Sequence, residues 1–149
     1  MSSFIYVTYI RTTPEKLWEA LTSPEFQKQY WFGMHQDCAW APGAEWKMLF
    51  PDGRVADAGR VIEIDPPRSL VLEWQNQFRP EVKAEGISRC TYTLEELEHA
   101  VKLTVTHQID VSPSKLLESV SGGWPKVLAS LKSLLETGAA LDTIHKCAA

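Results

Sequence analysis

The sequence predicts an α+β domain, a curved antiparallel sheet closed on one side by a long C-terminal helix. Three observations predict it. Segments that alternate apolar and polar residues follow one another from Trp46 to Asp110 with turns between them. Two short helix starts come directly after the first strand-like segment. One apolar stripe at helical spacing fills much of the last third. A run of strands followed by one long helix belongs to the α+β class.

Ser3 to Thr12 alternates and is rich in Ile, Val, Tyr and Thr, which suits a strand. Thr12-Thr13-Pro14-Glu15 then starts a helix: a Thr caps, Pro sits where its missing N–H does no harm, and Glu15 meets the positive dipole end. Leu17, Trp18 and Leu21 follow at helical spacing. Ser23-Pro24-Glu25 repeats the chemistry for a second short helix to about Tyr30. Trp46, Met48 and Phe50 then alternate, and Pro51-Asp52-Gly53 makes a turn. Strands are expected over about Val55 to Ile64 and, after the rigid turn Asp65-Pro66-Pro67-Arg68, around Leu70, Leu72 and Trp74. Residues Gln77 to Gly86 read as a mobile polar loop. Two further strands, about Ser88 to Glu95 and Ala100 to Asp110, place Cys90, Tyr92 and Leu94 on one face, and Leu103, Val105, His107 and Ile109 likewise.

Ser112-Pro113 opens a short helical segment that Gly122-Gly123 is expected to interrupt. Trp124-Pro125 then opens the long helix, with Trp124, Val127, Leu128, Leu131, Leu134 and Leu135 as its stripe and Gly138 as a left-handed cap. One domain over residues 1–149 is expected, its tail fraying from about residue 139.

Composition narrows the function. Of 149 residues, 44% are hydrophobic and 23% charged, with a net charge of −4 and no basic run, so no nucleic-acid footprint is expected. No apolar stretch approaches the roughly 20 residues of a membrane span. Met1 to Tyr9 lacks the pattern of a secretory leader, which predicts a cytoplasmic location. Cys38, Cys90 and Cys147 are widely spaced and form no metal-ligand pattern, so reduced thiols, no metal and no cofactor are expected. Familiar catalytic motifs are absent.

The unusual feature is six Trp. Trp31, Trp46, Met48, Phe50, Trp74 and Trp124 form a candidate ligand-binding wall, with Leu128 beside it on the helix stripe. Aromatic rings stack on a flat ligand and Met adapts to an irregular one. His107, on the inward strand phase, is the candidate general base or ligand handle, and Tyr92 on the neighbouring strand its candidate partner. The plain alternatives are core packing for the wall and a structural hydrogen bond for His107. Glu73 and Arg89 fall on the outward phase, where a solvent-exposed pairing or plain solvation is expected.

Several stretches carry a family resemblance: Tyr6-Val7-Thr8-Tyr9-Ile10 with Thr13-Pro14-Glu15-Lys16-Leu17-Trp18-Glu19-Ala20-Leu21-Thr22; Asp65-Pro66-Pro67-Arg68 with Leu70 and Trp74; Gly122-Gly123-Trp124-Pro125 through Leu131-Lys132; and Leu135-Glu136-Thr137-Gly138. In content and order they resemble the SRPBCC superfamily, also called START-like or Bet v 1-like. Within it they are similar to bacterial proteins related to the C-terminal domain of the activator of the heat-shock-protein-90 ATPase. The resemblance implies a helix-grip fold with a central cavity. Its relatives include lipid carriers, hormone receptors, polyketide cyclases and co-chaperone domains. The leading expectation is therefore a protein, monomer or homodimer, that binds a small apolar or aromatic molecule between sheet and helix. The alternatives are a cyclase, dehydratase or hydrolase acting on an aromatic or polyketide-like substrate, and a co-chaperone-like module with a chaperone partner.

Overall fold

The computed structural model describes residues 1–141. Its strands are β1 (Ser2–Ile10), β2 (His35–Cys38), β3 (Glu45–Leu49), β4 (Val55–Asp65), β5 (Ser69–Asn76), β6 (Ser88–Glu96) and β7 (Val101–Ile109). Its helices are α1 (Pro14–Thr22), α2 (Pro24–Tyr30), α3 (Pro80–Lys83) and α4 (Lys115–Thr137). All strands join one antiparallel sheet in the order β1-β7-β6-β5-β4-β3-β2. Its buried face and α4 enclose the main core, which includes Leu72, Leu103, Val105 and Leu131. The helix-grip α+β fold expected from the sequence is the one observed. Among the described residues no helix is long and apolar enough to cross a membrane.

The local chemistry explains the elements. Thr13 Oγ1 accepts from the Lys16 N–H at 3.3 Å and Pro14 occupies the first turn of α1. Gln27 on α2 is fully buried; its amide donates to the Leu21 carbonyl at 2.8 Å and accepts from the Gln36 N–H at 2.7 Å, fastening β2 to the helices. Register shifts at Met48/Leu49 and at Val61/Glu63 bend the sheet around α4. Gly59 is needed where it stands: a Cβ there would lie 1.7 Å from the Glu73 carbonyl oxygen. On the outer face Arg60 Nε pairs with Glu73 at 2.6 Å.

Two expectations are corrected, and one strand is added to them. Gly122-Gly123 does not interrupt the last helix; α4 runs unbroken from Lys115 and carries Pro125 inside it. The apolar stripe continues through the glycines, from Leu117 and Val120 to Trp124, and packing on the sheet outweighs their weak propensity. Gln77 to Gly86 is not simply a polar loop. It contains α3, buries Val82, and places Glu85 so that its carboxylate accepts from Ser114 Oγ (2.8 Å) and the Lys115 N–H (2.6 Å) at the start of α4. The short strand β2 was not expected at all. The fraying expected from about residue 139 falls mostly, and Cys147 entirely, outside the described residues.

A cavity with one closed and one open polar group

Between the sheet and the first half of α4 lies a cavity of about 420 Å³. Trp31, Phe32, Phe50, Trp74, Phe78 and Trp124 supply its aromatic wall. Met34, Met48, Val82, Leu116, Val120 and Val127 supply aliphatic and thioether surface. Asp57, Asn76, Arg79 and Ser119 are its polar and charged side chains.

The rings hold one another in place. Trp31 meets Trp124 edge to face at 5.4 Å, and Trp74 meets Trp124 at 5.8 Å. Trp46 and Trp74 flank Gly59 in the strand register, and their rings meet at 4.5 Å. At the mouth Phe50 contacts Phe78 edge to face at 5.1 Å, and the Arg54 guanidinium lies 4.8 Å over the Phe50 ring.

Of the residues singled out from the sequence, Trp31, Met48, Phe50, Trp74 and Trp124 line this cavity. Trp46, Tyr92, His107 and Leu128 are buried behind the wall rather than on it. Trp46 donates its indole N–H to Gln36 Oε1 at 2.8 Å.

His107 is fully buried and both ring nitrogens are engaged. Ser88 Oγ donates its one proton to the Trp74 carbonyl at 2.6 Å. It must therefore accept from His107 Nε2–H at 2.9 Å. His107 Nδ1 is then bare and accepts the Trp124 indole N–H at 3.2 Å. The network thus assigns a neutral imidazole, and burial pushes its pKa down to about 4. His107 has no nitrogen left for a ligand; it orients the Trp124 ring on the wall. Tyr92 does not pair with it. Cys90, not Tyr92, lies across from His107 in the register, and the Tyr92 hydroxyl has the Cys90 thiol as its hydrogen-bonding neighbour. Burial pushes the Tyr92 and Cys90 pKa values up, so both stay protonated.

Asp57 is different, and the sequence reading passed over it. It lies on β4, opposite Met48 on β3 and Asn76 on β5, and is 8% exposed. Burial pushes its carboxyl up to about 7, against the opposing pull of hydrogen bonds from Trp74 and Asn76. The signal was available: counting by twos from buried Val61 through Gly59 puts Asp57 on the inner face, and from Trp74 puts Asn76 there.

A curved sheet gripping a helix over a lined cavity defines a helix-grip protein. The chain belongs to the family described as activator of Hsp90 ATPase homolog 1-like protein, whose model matches residues 11–136. No curated protein matches it at a significant level. Three solved structures similar to it confirm the fold. A Mesorhizobium loti protein superposes with a TM-score of 0.77 at 23% identity, over 90% of this chain and 96% of that one. The Aha1 dimer from Colwellia psychrerythraea gives 0.74 at 24% identity, over 93% and 98%. An HSP90 activator from Plasmodium falciparum gives 0.70 at 21% identity, over 89% and 95%.

Proposed function

We propose that the protein binds a small apolar or aromatic molecule in the cavity beneath α4. The observation that carries this reading is the space itself. Ligand pockets commonly measure about 300–1,000 Å³ with mostly apolar walls and a few polar groups, and this cavity matches in size and lining. The sequence also leaves the space unfilled where filling it would be easy: a Cβ at Gly123 on the wall meets nothing within 4 Å. Close packing is the norm of protein interiors, so a retained gap needs a reason. Trp31, Met48, Phe50, Trp74 and Trp124 contact the ligand in this reading, and His107 acts through Trp124 as a positioning residue.

Native mass spectrometry of the purified protein, compared with its denatured mass, tests this. Added mass that disappears on denaturation supports the reading and begins to identify the ligand. A clean mass, together with failure of naphthyl compounds to bind, overturns it.

Family membership favours a second reading, a chaperone partner. Its test is the ATPase rate of an Hsp90 with and without the protein; an unchanged rate and no co-migration remove it.

A further inference from the structure

Asp57, Asn76, Arg79 and Ser119 are the cavity's polar and charged side chains. Asn76 is fixed by its own turn: Oδ1 accepts from the Phe78 N–H at 3.2 Å and the Arg79 N–H at 2.8 Å. That leaves its Nδ2 facing Asp57 Oδ1 at 3.5 Å, a long contact at the limit of a hydrogen bond. The Trp74 indole is the other hydrogen-bonding neighbour of the Asp57 carboxyl. An ionised carboxylate offers about four acceptor sites, so these two donors leave capacity facing the cavity. Asp57 takes part in no ion pair among the described residues. Arg79, the cationic residue of the wall, is engaged with Glu81 at 3.1 Å. Among the described residues, Asp57 and Arg79 are the ionisable groups that line the cavity.

Around this carboxyl stand the rings of Trp31, Phe50, Trp74, Phe78 and Trp124. Aromatic faces attract cations, and Trp does so best. A buried carboxylate without a countercharge selects the same thing. Both features point to one ligand chemistry, an organic cation with apolar bulk.

We propose that the cavity takes a small aromatic or aliphatic molecule bearing a protonated amine, the ammonium held by the Asp57 carboxylate within the aromatic wall. This rests on the ligand-binding reading above. The ammonium supplies the donors and the countercharge that the site lacks, and the wall buries the rest. In the empty protein burial holds the Asp57 proton near neutrality, so a bound ammonium draws the carboxyl to its ionised form.

The test uses three naphthalene probes of like shape, titrated by calorimetry: 2-(1-naphthyl)ethylamine, 2-(1-naphthyl)ethanol and 1-naphthylacetate. At about pH 8 the amine binds at least about tenfold tighter than the alcohol, and it weakens by about tenfold or more at about pH 5.5 while the alcohol does not. Asp57→Asn removes the amine's advantage over the alcohol. In the unaltered protein the ¹³C signal of the Asp57 carboxyl titrates at lower pH with the amine bound and does not move with the alcohol, a readout that needs no variant. An alcohol or acid that binds as tightly as the amine, or an Asp57→Asn protein that keeps the preference, overturns the inference. Equal binding of all three leaves the cavity reading standing and removes the cation. Binding of none removes both.

Discussion

His107 and Asp57 are both buried polar groups on the inner face of one sheet, and they have opposite surroundings. His107 spends each ring nitrogen on a fixed partner, Ser88 on one side and Trp124 on the other. Asp57 has one long contact to Asn76 and the neighbouring Trp74 indole, and it borders empty space. A saturated polar group is part of the scaffold, whereas an undersatisfied one beside a cavity is where a ligand can gain. Burial alone does not separate the two; the count of unused hydrogen-bonding capacity does.

Four substitutions probe that contrast, beginning with the largest effect. Trp124→Ala removes a ring from the cavity wall and the partner of His107 Nδ1 together. It should destabilise by about 3–5 kcal/mol in urea unfolding, as large-to-small core changes do. A loss below about 1 kcal/mol would show that the ring is not packed as described.

Asp57→Asn should act in the other direction. Its carboxyl pKa is raised from 3.8 to about 7 in the fold, so the folded state holds a proton that the unfolded state releases between those values. Stability from this group is therefore present below pH 3.8 and lost as pH rises to about 7. The upper bound on that loss is about 4 kcal/mol. The variant should gain up to that amount at about pH 8 and nothing at about pH 4, read by urea midpoints at both. No gain at the higher pH would mean the carboxyl is solvated.

His107→Gln should cost about 1–3 kcal/mol through the broken Ser88–Trp124 bridge. The linkage runs opposite to that of Asp57. The histidine pKa falls from 6.5 to about 4, so its stability is present above pH 6.5 and lost as pH falls towards 4. In the unaltered protein the two slopes oppose each other between about pH 4 and 6.5, so Asp57→Asn should unmask a fall towards acid and His107→Gln a rise. Parallel pH profiles for the two variants would contradict the assignment.

The smallest effect is the most selective. Gly123→Ala places a methyl group in open space on an uninterrupted helix, which should add about 0.5–1 kcal/mol of stability. Because the residue lines the cavity, the same change should weaken binding of the naphthyl alcohol. Stabilisation without weaker binding would place the ligand elsewhere.

The fold was legible in the sequence because its signals are local. Thr13-Pro14-Glu15 starts α1 by its own chemistry, and alternation at Leu70, Leu72 and Trp74 fixes the inner face of β5. The glycine pair misled because a local break signal met a longer-range stripe. The site was legible by half. Alternation tells which side of a sheet a residue faces, not how far along that face the unfilled space extends. Trp46, Tyr92, His107 and Leu128 share the inner side with Trp74 but pack where side chains fill the space. Asp57 and Asn76 carry neither an aromatic ring nor an imidazole to mark them, although the same period-two count reaches both.

The most direct measurement is a ¹H–¹⁵N spectrum of the Trp indole signals during titration with 2-(1-naphthyl)ethanol. Binding in the cavity should shift the indoles of Trp31, Trp74 and Trp124, which line it, and leave Trp18 and Trp40, which do not, in place. Shifts confined to Trp18 and Trp40, or none at saturating alcohol, would contradict a ligand site beneath α4.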